Sequence, residues 1–208
     1  MPLDHGETLR AAALVQRLED RVAELVAGQL RVALAYSGGL CSTVVAMVAR
    51  KRCDLECVVA GSAESEDLRA ANAARQYLDY RVTIEELNAG RTERILKRAR
   101  AENPSLSAKA LLTFLPLYAA HERAPEKLWL SGFGPQRSDP RVLEALRRLR
   151  VQSPFVEASV GARISRSTVR LAATSLGLPE EWARVPHRDP ATGAGIAAFR
   201  PSIEKHAK

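Results

Sequence analysis

The residue types with the clearest chemical use lie together in one turn, Ser37-Gly38-Gly39-Leu40-Cys41-Ser42-Thr43. The turn stands between a short apolar run, Arg31–Tyr36, and a longer apolar stretch from Cys41 to Lys51. A strand that stops at a Gly-Gly turn and runs into a helix leaves backbone N–H groups exposed at the helix start, where the helix dipole adds partial positive charge. Glycines 38 and 39 permit positive φ and close approach of an anion, and the hydroxyls of Ser37, Ser42 and Thr43 add donors. The pattern predicts a phosphate-binding turn; the plain alternative is a tight turn without a ligand. The motif G-x-x-x-x-G-K-[ST] is excluded because the first lysine is Lys51, and G-x-G-x-x-G is absent as well.

A second glycine turn, Ser131-Gly132-Phe133-Gly134, follows the apolar run Leu128–Leu130 and is expected either to touch the same ligand or to turn without one. Cys41 falls at the predicted helix start, where the dipole can lower a thiol pKa, so it is a candidate reactive thiolate beside the plainer reading of a passive turn position. Cys53 and Cys57 are separated by three residues with no histidine close in sequence, which predicts free thiols and no zinc. His187 and Arg188, in Arg184-Val185-Pro186-His187-Arg188-Asp189-Pro190, are the remaining catalytic candidates, and Asp189 reads as a turn residue. His5, His121 and His206 read as surface residues. Arg163, Arg166 and Arg170 recur at three- and four-residue steps and would share one helix face, turned either to phosphate or to solvent.

The elements that must position these residues follow from periodicity. Apolar residues at three- and four-residue steps predict a helix over Glu7–Ala27, ended by Gly28. Short apolar runs predict buried parallel strands at Arg31–Tyr36, Leu55–Ala60, Arg81–Leu87 and Leu128–Leu130, with helices over Glu64–Leu78, Arg91–Ala101 and Ser107–Glu122. Asp139 and Pro140 read as cap and first position of a helix over Val142–Leu149. Val151–Gly161 reads as a loop, Arg166–Leu176 as a helix, and Val185–Arg200 as Pro- and Gly-rich chain. The expected organisation is one domain over 1–208, with an N-terminal helix in 1–28 and a C-terminal appendage in 151–208.

The run SGGLCS resembles the SGGxDS signature of the PP-loop ATP pyrophosphatases, which include asparagine synthetase, GMP synthetase, NAD synthetase, argininosuccinate synthetase and several tRNA-modifying enzymes. Leu128-Trp129-Leu130-Ser131-Gly132-Phe133-Gly134 is similar to the LSGxG segment of the synthetase domain of asparagine synthetase. Ser153-Pro154-Phe155-Val156-Glu157 looks like its PFLD-type segment, and Gly193-Ala194-Gly195-Ile196 like a GSGI-type loop. These matches run from Arg31 to Ile196. They imply an α/β fold with a doubly wound five-stranded parallel sheet, order 3-2-1-4-5 and helices on both faces, with the ligand at the strand C-terminal edge. They also imply ATP as the bound nucleotide. Ser37, Gly38, Gly39, Cys41, Ser42 and Thr43 would hold its phosphates, the backbone at Val59 and Gly61 would face adenine, and Ser131 and Gly132 would close over it. His187 and Arg188 stand where this family often carries a phosphate-contacting lysine.

Two departures bear on the metal that the resemblance implies. Cys41 stands where the family has an acidic residue, and Gln136 and Arg137 replace the acidic pair after LSGxG. A thiol and an amide are poor ligands for Mg²⁺, so its binding is expected to be weakened. The resemblance implies adenylation of a small carboxylate followed by attack of an amine. Without a glutaminase domain, and with Pro2 rather than a cysteine after Met1, ammonia would come free or from a partner. Three functions stand side by side: an asparagine-synthetase-like amide ligase, a tRNA-modifying enzyme, and a nucleotide-binding protein that has lost adenylation.

Composition bounds these readings. In the 208 residues, 46% hydrophobic and 26% charged side chains predict a folded globular chain. The excess of 31 Lys and Arg over 24 Asp and Glu gives a net charge of +7, which suits anionic partners. Only 5% of residues are aromatic, and a base-stacking RNA platform is missing, so RNA ranks behind adenine nucleotide as a partner. No apolar run is long enough for a membrane span and no leader pattern opens the chain, so a cytoplasmic homo-oligomer is expected.

Overall fold

The computed structural model describes residues 5–77, 81–125, 127–134, 140–159, 164–184, 186 and 188–199. Its centre is β1 (Arg31–Ala35), whose Val32, Ala33 and Leu34 are fully buried. β1 pairs in parallel with β2 (Asp54–Gly61) on one side and with β4 (Leu128–Ser131) on the other. β3 (Arg81–Glu86) extends β2, and β5 (Val151–Gln152) extends β4. The all-parallel order β3-β2-β1-β4-β5 is the expected one. The chain leaves β1 toward β2 and β3, then returns to β4 on the opposite side. That reversal opens a crevice at the carboxyl ends of β1 and β4.

Strand side chains alternate between two cores, as a sheet covered on both faces requires. Val32, Leu34, Cys57 and Val59 face one core. It is filled by α2 (Leu40–Ala49), in which every residue but Cys41 is buried. Over α2 lie α1 (His5–Val26), with its stripe Ala11, Leu14, Leu18, Val22 and Val26, and α8 (Arg166–Ser175). α3 (Glu66–Tyr77) adds Leu68, Ala71 and Ala74 to this core. Ala33, Val58, Ala60 and Trp129 face the other core, under α4 (Ala89–Glu102), α5 (Ala108–His121) and α6 (Pro140–Arg148).

His121 departs from the surface position expected of it. It is buried at the end of α5, 5.5 Å from the Trp129 ring, while the Trp129 Nε1–H donates to the Ala124 carbonyl at 2.7 Å. The tight connection from α5 into β4 folds this histidine back onto the sheet. His206, Arg163 and the Asp139 cap lie outside the described residues.

The stretch read as a loop at Val151–Gly161 supplies the fifth strand and then α7 (Pro154–Ala158), begun by Pro154 at its first position. Two strand residues carry no periodicity to read. After α8 the Pro- and Gly-rich end forms α9 (Glu180–Ala183), α10 (Pro190–Gly193) and a 3-10 turn over Ile196–Phe199. This end returns to the sheet, where Ser62 N–H donates to the Ala194 carbonyl at 2.9 Å. It thereby forms one end of the crevice.

At the amino end of the strands, Glu56 of β2 accepts hydrogen bonds from Thr83 Oγ1 at 3.0 Å, Arg123 Nε at 3.2 Å and Lys127 Nζ at 2.6 Å. Burial alone would raise this carboxyl. The three donors outweigh it and hold Glu56 at about 2.

Candidate functional site

The Ser37–Thr43 segment leaves the carboxyl end of β1 and turns directly into α2. Tyr36 N–H still follows the sheet ladder, donating to the Val58 carbonyl at 2.8 Å. Gly38 then takes a left-handed φ of 65°, and a Cβ there would lie 2.5 Å from the Ala70 Cβ. Only glycine fits both demands, with the small Ala70 and Ala71 of α3 allowing the approach. Gly39 is extended at φ −78°, ψ 160° and no side chain caps the helix after it. The first N–H groups of a helix have no intrahelical partner, so this uncapped start presents donors to a ligand.

Hydroxyls brace the turn from within. Gly39 N–H donates to Ser37 Oγ at 3.3 Å, Ser42 Oγ donates to the Gly39 carbonyl at 2.9 Å, and the two serine oxygens lie 3.2 Å apart. Thr43 is different. It is buried, and its hydroxyl meets the Tyr36 hydroxyl at 3.1 Å, beneath the turn.

The second glycine turn packs on the first. A Cβ on Gly132 would stand 2.6 Å from the Ser42 Cα and 2.9 Å from the Cys41 carbonyl carbon. Ser131 ties β4 to the start of α7, its Oγ 2.8 Å from Ser153 Oγ, and accepts from Phe133 N–H at 3.4 Å. Gln136 and Arg137, just beyond, lie outside the described residues, as does His187.

Between these turns opens a cleft of about 880 Å³. That is near the top of the range for small-molecule sites. Its floor is Ala35, Val58 and Ala60, at the carboxyl ends of β1 and β2. Ser37, Gly39, Cys41 and Ser42 form one rim, with Ser131, Gly132, Phe133 and Gly134 beside them. The opposite wall is α5, through Ala110, Thr113, Phe114 and Leu117, and the end of α8 adds Arg166 and Val169. Val59 is buried on the other face of β2, because successive strand residues alternate sides; its neighbours Val58 and Ala60 face the cleft. Gly61 sits against Ser65 and the Ala194 carbonyl, where a Cβ would have no room.

Two further charged groups enter the cleft, one from α3 and one from the segment just before α10. Asp67, in the first turn of α3, is only 6% exposed and was not among the expected site residues. It is one turn before Ala70 and Ala71, the residues that touch Gly38, and so shares their helix face. That spacing was the signal for it. Burial pushes the Asp67 carboxyl up to about 7, helped by Glu66 and opposed by Arg188. Arg188 lies with its Nε 2.6 Å from Glu66 Oε2 and its Nη1 3.6 Å from Asp67 Oδ1.

Cys41 is half-buried on the rim. Burial pushes its thiol up to about 11, with Arg166 acting in the opposite direction. Loss of solvent outweighs the favourable helix start, which favours the passive turn position over the reactive thiolate. Cys53 and Cys57 are free, as expected, and burial raises both thiols.

The sheet order and the glycine turn opening a helix at the switch point, taken with the family match, support a PP-loop ATP-utilising enzyme. The chain belongs to the asparagine synthase family, whose model matches residues 13–135. In fold it is similar to NMN synthetase from Francisella tularensis, with a TM-score of 0.54 at 13% identity over 98% of this chain and 87% of that one. A second similar structure is the predicted subunit of tRNA methyltransferase from Methanocaldococcus jannaschii, with a TM-score of 0.43 at 12% identity over 77% of this chain and 94% of that one. Among curated proteins, none matches the sequence. No helix among the described residues is long and apolar enough to cross a membrane.

The family uses ATP and typically Mg²⁺. Among the described residues, the donor set in the cleft does not fit a protein-held magnesium ion, which needs hard oxygen ligands. Cys41 presents sulfur at the rim, Asp67 faces Arg188, and Asp189 Oδ1 accepts from Ala191 N–H as the cap of α10. Among the described residues, no group of three or more His, Cys, Asp or Glu side chains is placed to hold a metal.

Proposed function

We propose that this chain is an adenylating amide ligase that activates a small carboxylate with ATP. The nucleotide phosphates lie over Ser37, Gly38, Gly39, Cys41 and Ser42, adenine lies against the β2 end from Val58 to Gly61, and the Ser131–Gly132 turn closes from the side. A carboxylate oxygen of the acceptor attacks the α-phosphorus, and the bond to the bridging oxygen of pyrophosphate breaks. An acyl adenylate and pyrophosphate result. Ammonia or an amine then attacks the acyl carbon, giving the amide and AMP. The N–H groups at the start of α2 would stabilise the charge that develops on the departing pyrophosphate, and the rest of catalysis is positioning.

The observation that carries this reading is the packing of two glycine turns at one rim of the cleft, with Gly132 against Ser42. The α5 residues that line the same cleft would face the acceptor. A second reading, a nucleotide-binding protein without adenylation, is favoured by Cys41 at the position of the family's acidic residue. Pyrophosphate release from ATP separates the two, measured with a panel of carboxylates, with and without ammonium and RNA. The ligase reading expects release that depends on one carboxylate class and yields AMP. ATP binding without release under any of these conditions supports the second reading, and release that requires RNA would move the assignment to a tRNA-modifying enzyme.

A further inference from the structure

We infer that the acceptor is an apolar carboxylic acid, an aromatic or aliphatic group ending in a carboxylate, whose hydrocarbon part lies against Leu117 of α5 and Phe133 of the second glycine turn. The inference rests on the ligase reading above and names its substrate class. A carboxylate that attacks the α-phosphorus must reach the Ser37–Ser42 turn, so the group it carries meets whatever borders that turn. Phe133 does so. It stands between Gly132, where a Cβ would lie 2.6 Å from the Ser42 Cα, and Gly134, where a Cβ would lie 3.9 Å from the Cys41 Sγ. Its N–H donates to Ser131 Oγ at 3.4 Å, and its side chain lines the cleft. On β1, Ala35 pairs with Ser131 and adds its methyl group to the floor. With adenine on the β2 side, the β4 side falls to the acceptor.

The facing wall has the same character. Ala110, Phe114 and Leu117 recur at four- and three-residue steps of α5, share one helix face and line the cleft. Thr113, on that face too, donates its hydroxyl to the Lys109 carbonyl at 3.1 Å, so the proton is used within the helix. Ala35, Ala110, Leu117 and Phe133 pack on the core beneath α4, α5 and α6, yet the protein covers them only in part. Covering such surface with hydrocarbon is favourable in proportion to the area removed from water. An ammonium or amide group set against the same side chains would lose water without gaining hydrogen bonds from them.

The test is calorimetric binding of carboxylates to the whole chain, in Mg²⁺ and an ATP analogue with a methylene group between the α- and β-phosphorus, which blocks pyrophosphate release. Release from ATP is read in parallel. Phenylacetate and hexanoate are compared with L-aspartate and with succinate, whose second carboxylate would meet the exposed Lys109. The apolar acids should bind at least about tenfold more tightly than the polar ones and should be the acids that support release. Leu117→Ala should weaken hexanoate by about tenfold while the analogue alone binds within about threefold of its affinity for the unsubstituted chain. Leu117→Phe narrows the groove and should move the preference toward acids shorter than hexanoate, a change that a merely structural role for Leu117 would not produce. Phe133→Leu should weaken phenylacetate more than hexanoate, and it tests the inference even if Leu117→Ala fails to fold. Aspartate or succinate binding as tightly as the apolar acids, or unchanged hexanoate affinity in a folded Leu117→Ala variant, would overturn it. Release that depends on aspartate removes this inference and leaves the ligase reading standing, whereas neither binding nor release with any carboxylate, while the analogue binds, removes both.

Discussion

Gly132 lies against Ser42 so closely that a Cβ added to the glycine would stand 2.6 Å from the Ser42 Cα. The turn after β4 can therefore rest on the first turn of α2 only without a side chain. This contact joins the two motifs, ninety positions apart in the sequence, into one rim.

Gly132→Ala forces those turns apart. Because the atoms it meets are backbone, relief requires movement of α2 or of the β4 end, at a cost of about 1–3 kcal/mol typical of overpacking. Chemical denaturation should show that loss, together with ATP affinity weakened by about tenfold. A variant with unchanged stability and unchanged ATP binding would contradict the contact.

Cys41 should react as a half-buried, largely neutral thiol. With its pKa pushed up to about 11 by burial, only a small fraction is thiolate near neutral pH. Alkylation by iodoacetamide should be slow at pH 7 and accelerate as pH rises toward that value, and ATP should protect the residue. Rapid labelling at neutral pH, without an increase above pH 9, would restore the thiolate reading.

Glu56 should make the fold sensitive to acid. Its folded-state value, about 2, lies below the ordinary 4.5, because the hydrogen bonds from Lys127, Thr83 and Arg123 outweigh burial. The stabilisation is therefore fully present above the ordinary value and is lost as pH falls from there toward about 2. After discounting for solvent screening it amounts to about 1–2 kcal/mol. Glu56→Gln should lower stability at pH 7 by that amount and flatten the acid limb of stability against pH. An acid limb unchanged in the variant would show that other carboxylates govern it.

The strand-turn-helix signature and the two glycine turns were legible in the sequence because they depend on local backbone chemistry: an apolar run, a break, and an apolar helix. The strand order came with the resemblance that those residues carry. Asp67 and Arg166 were harder to place in the cleft, since each enters on a helix whose approach is set by packing between distant segments. The effect of Arg166 on Cys41 is visible only once α8 lies over α2. For Cys41 the sequence left two readings open, because a helix start is readable from sequence and desolvation is not. Which β2 side chains line the cleft depends on strand parity, a one-residue matter that a fully apolar strand hides. His121 looked exposed because its burial depends on Trp129, in the next element.

The most direct test compares two neighbouring glycines that the structure separates by role. Gly38 has a left-handed φ and no room beside Ala70, so Gly38→Ala should destabilise the fold. Gly39 has an ordinary extended backbone, with only the Ser37 hydroxyl near a new Cβ at 3.1 Å, so Gly39→Val should fold and instead obstruct the approach of phosphate. The deciding measurement is ATP binding to Gly39→Val by calorimetry, on protein shown by thermal melting to be folded. The account predicts affinity reduced by about a hundredfold or more, near 3 kcal/mol. A folded Gly39→Val variant that binds ATP as tightly as the unsubstituted chain would contradict the placement of the phosphates on the Ser37–Ser42 turn.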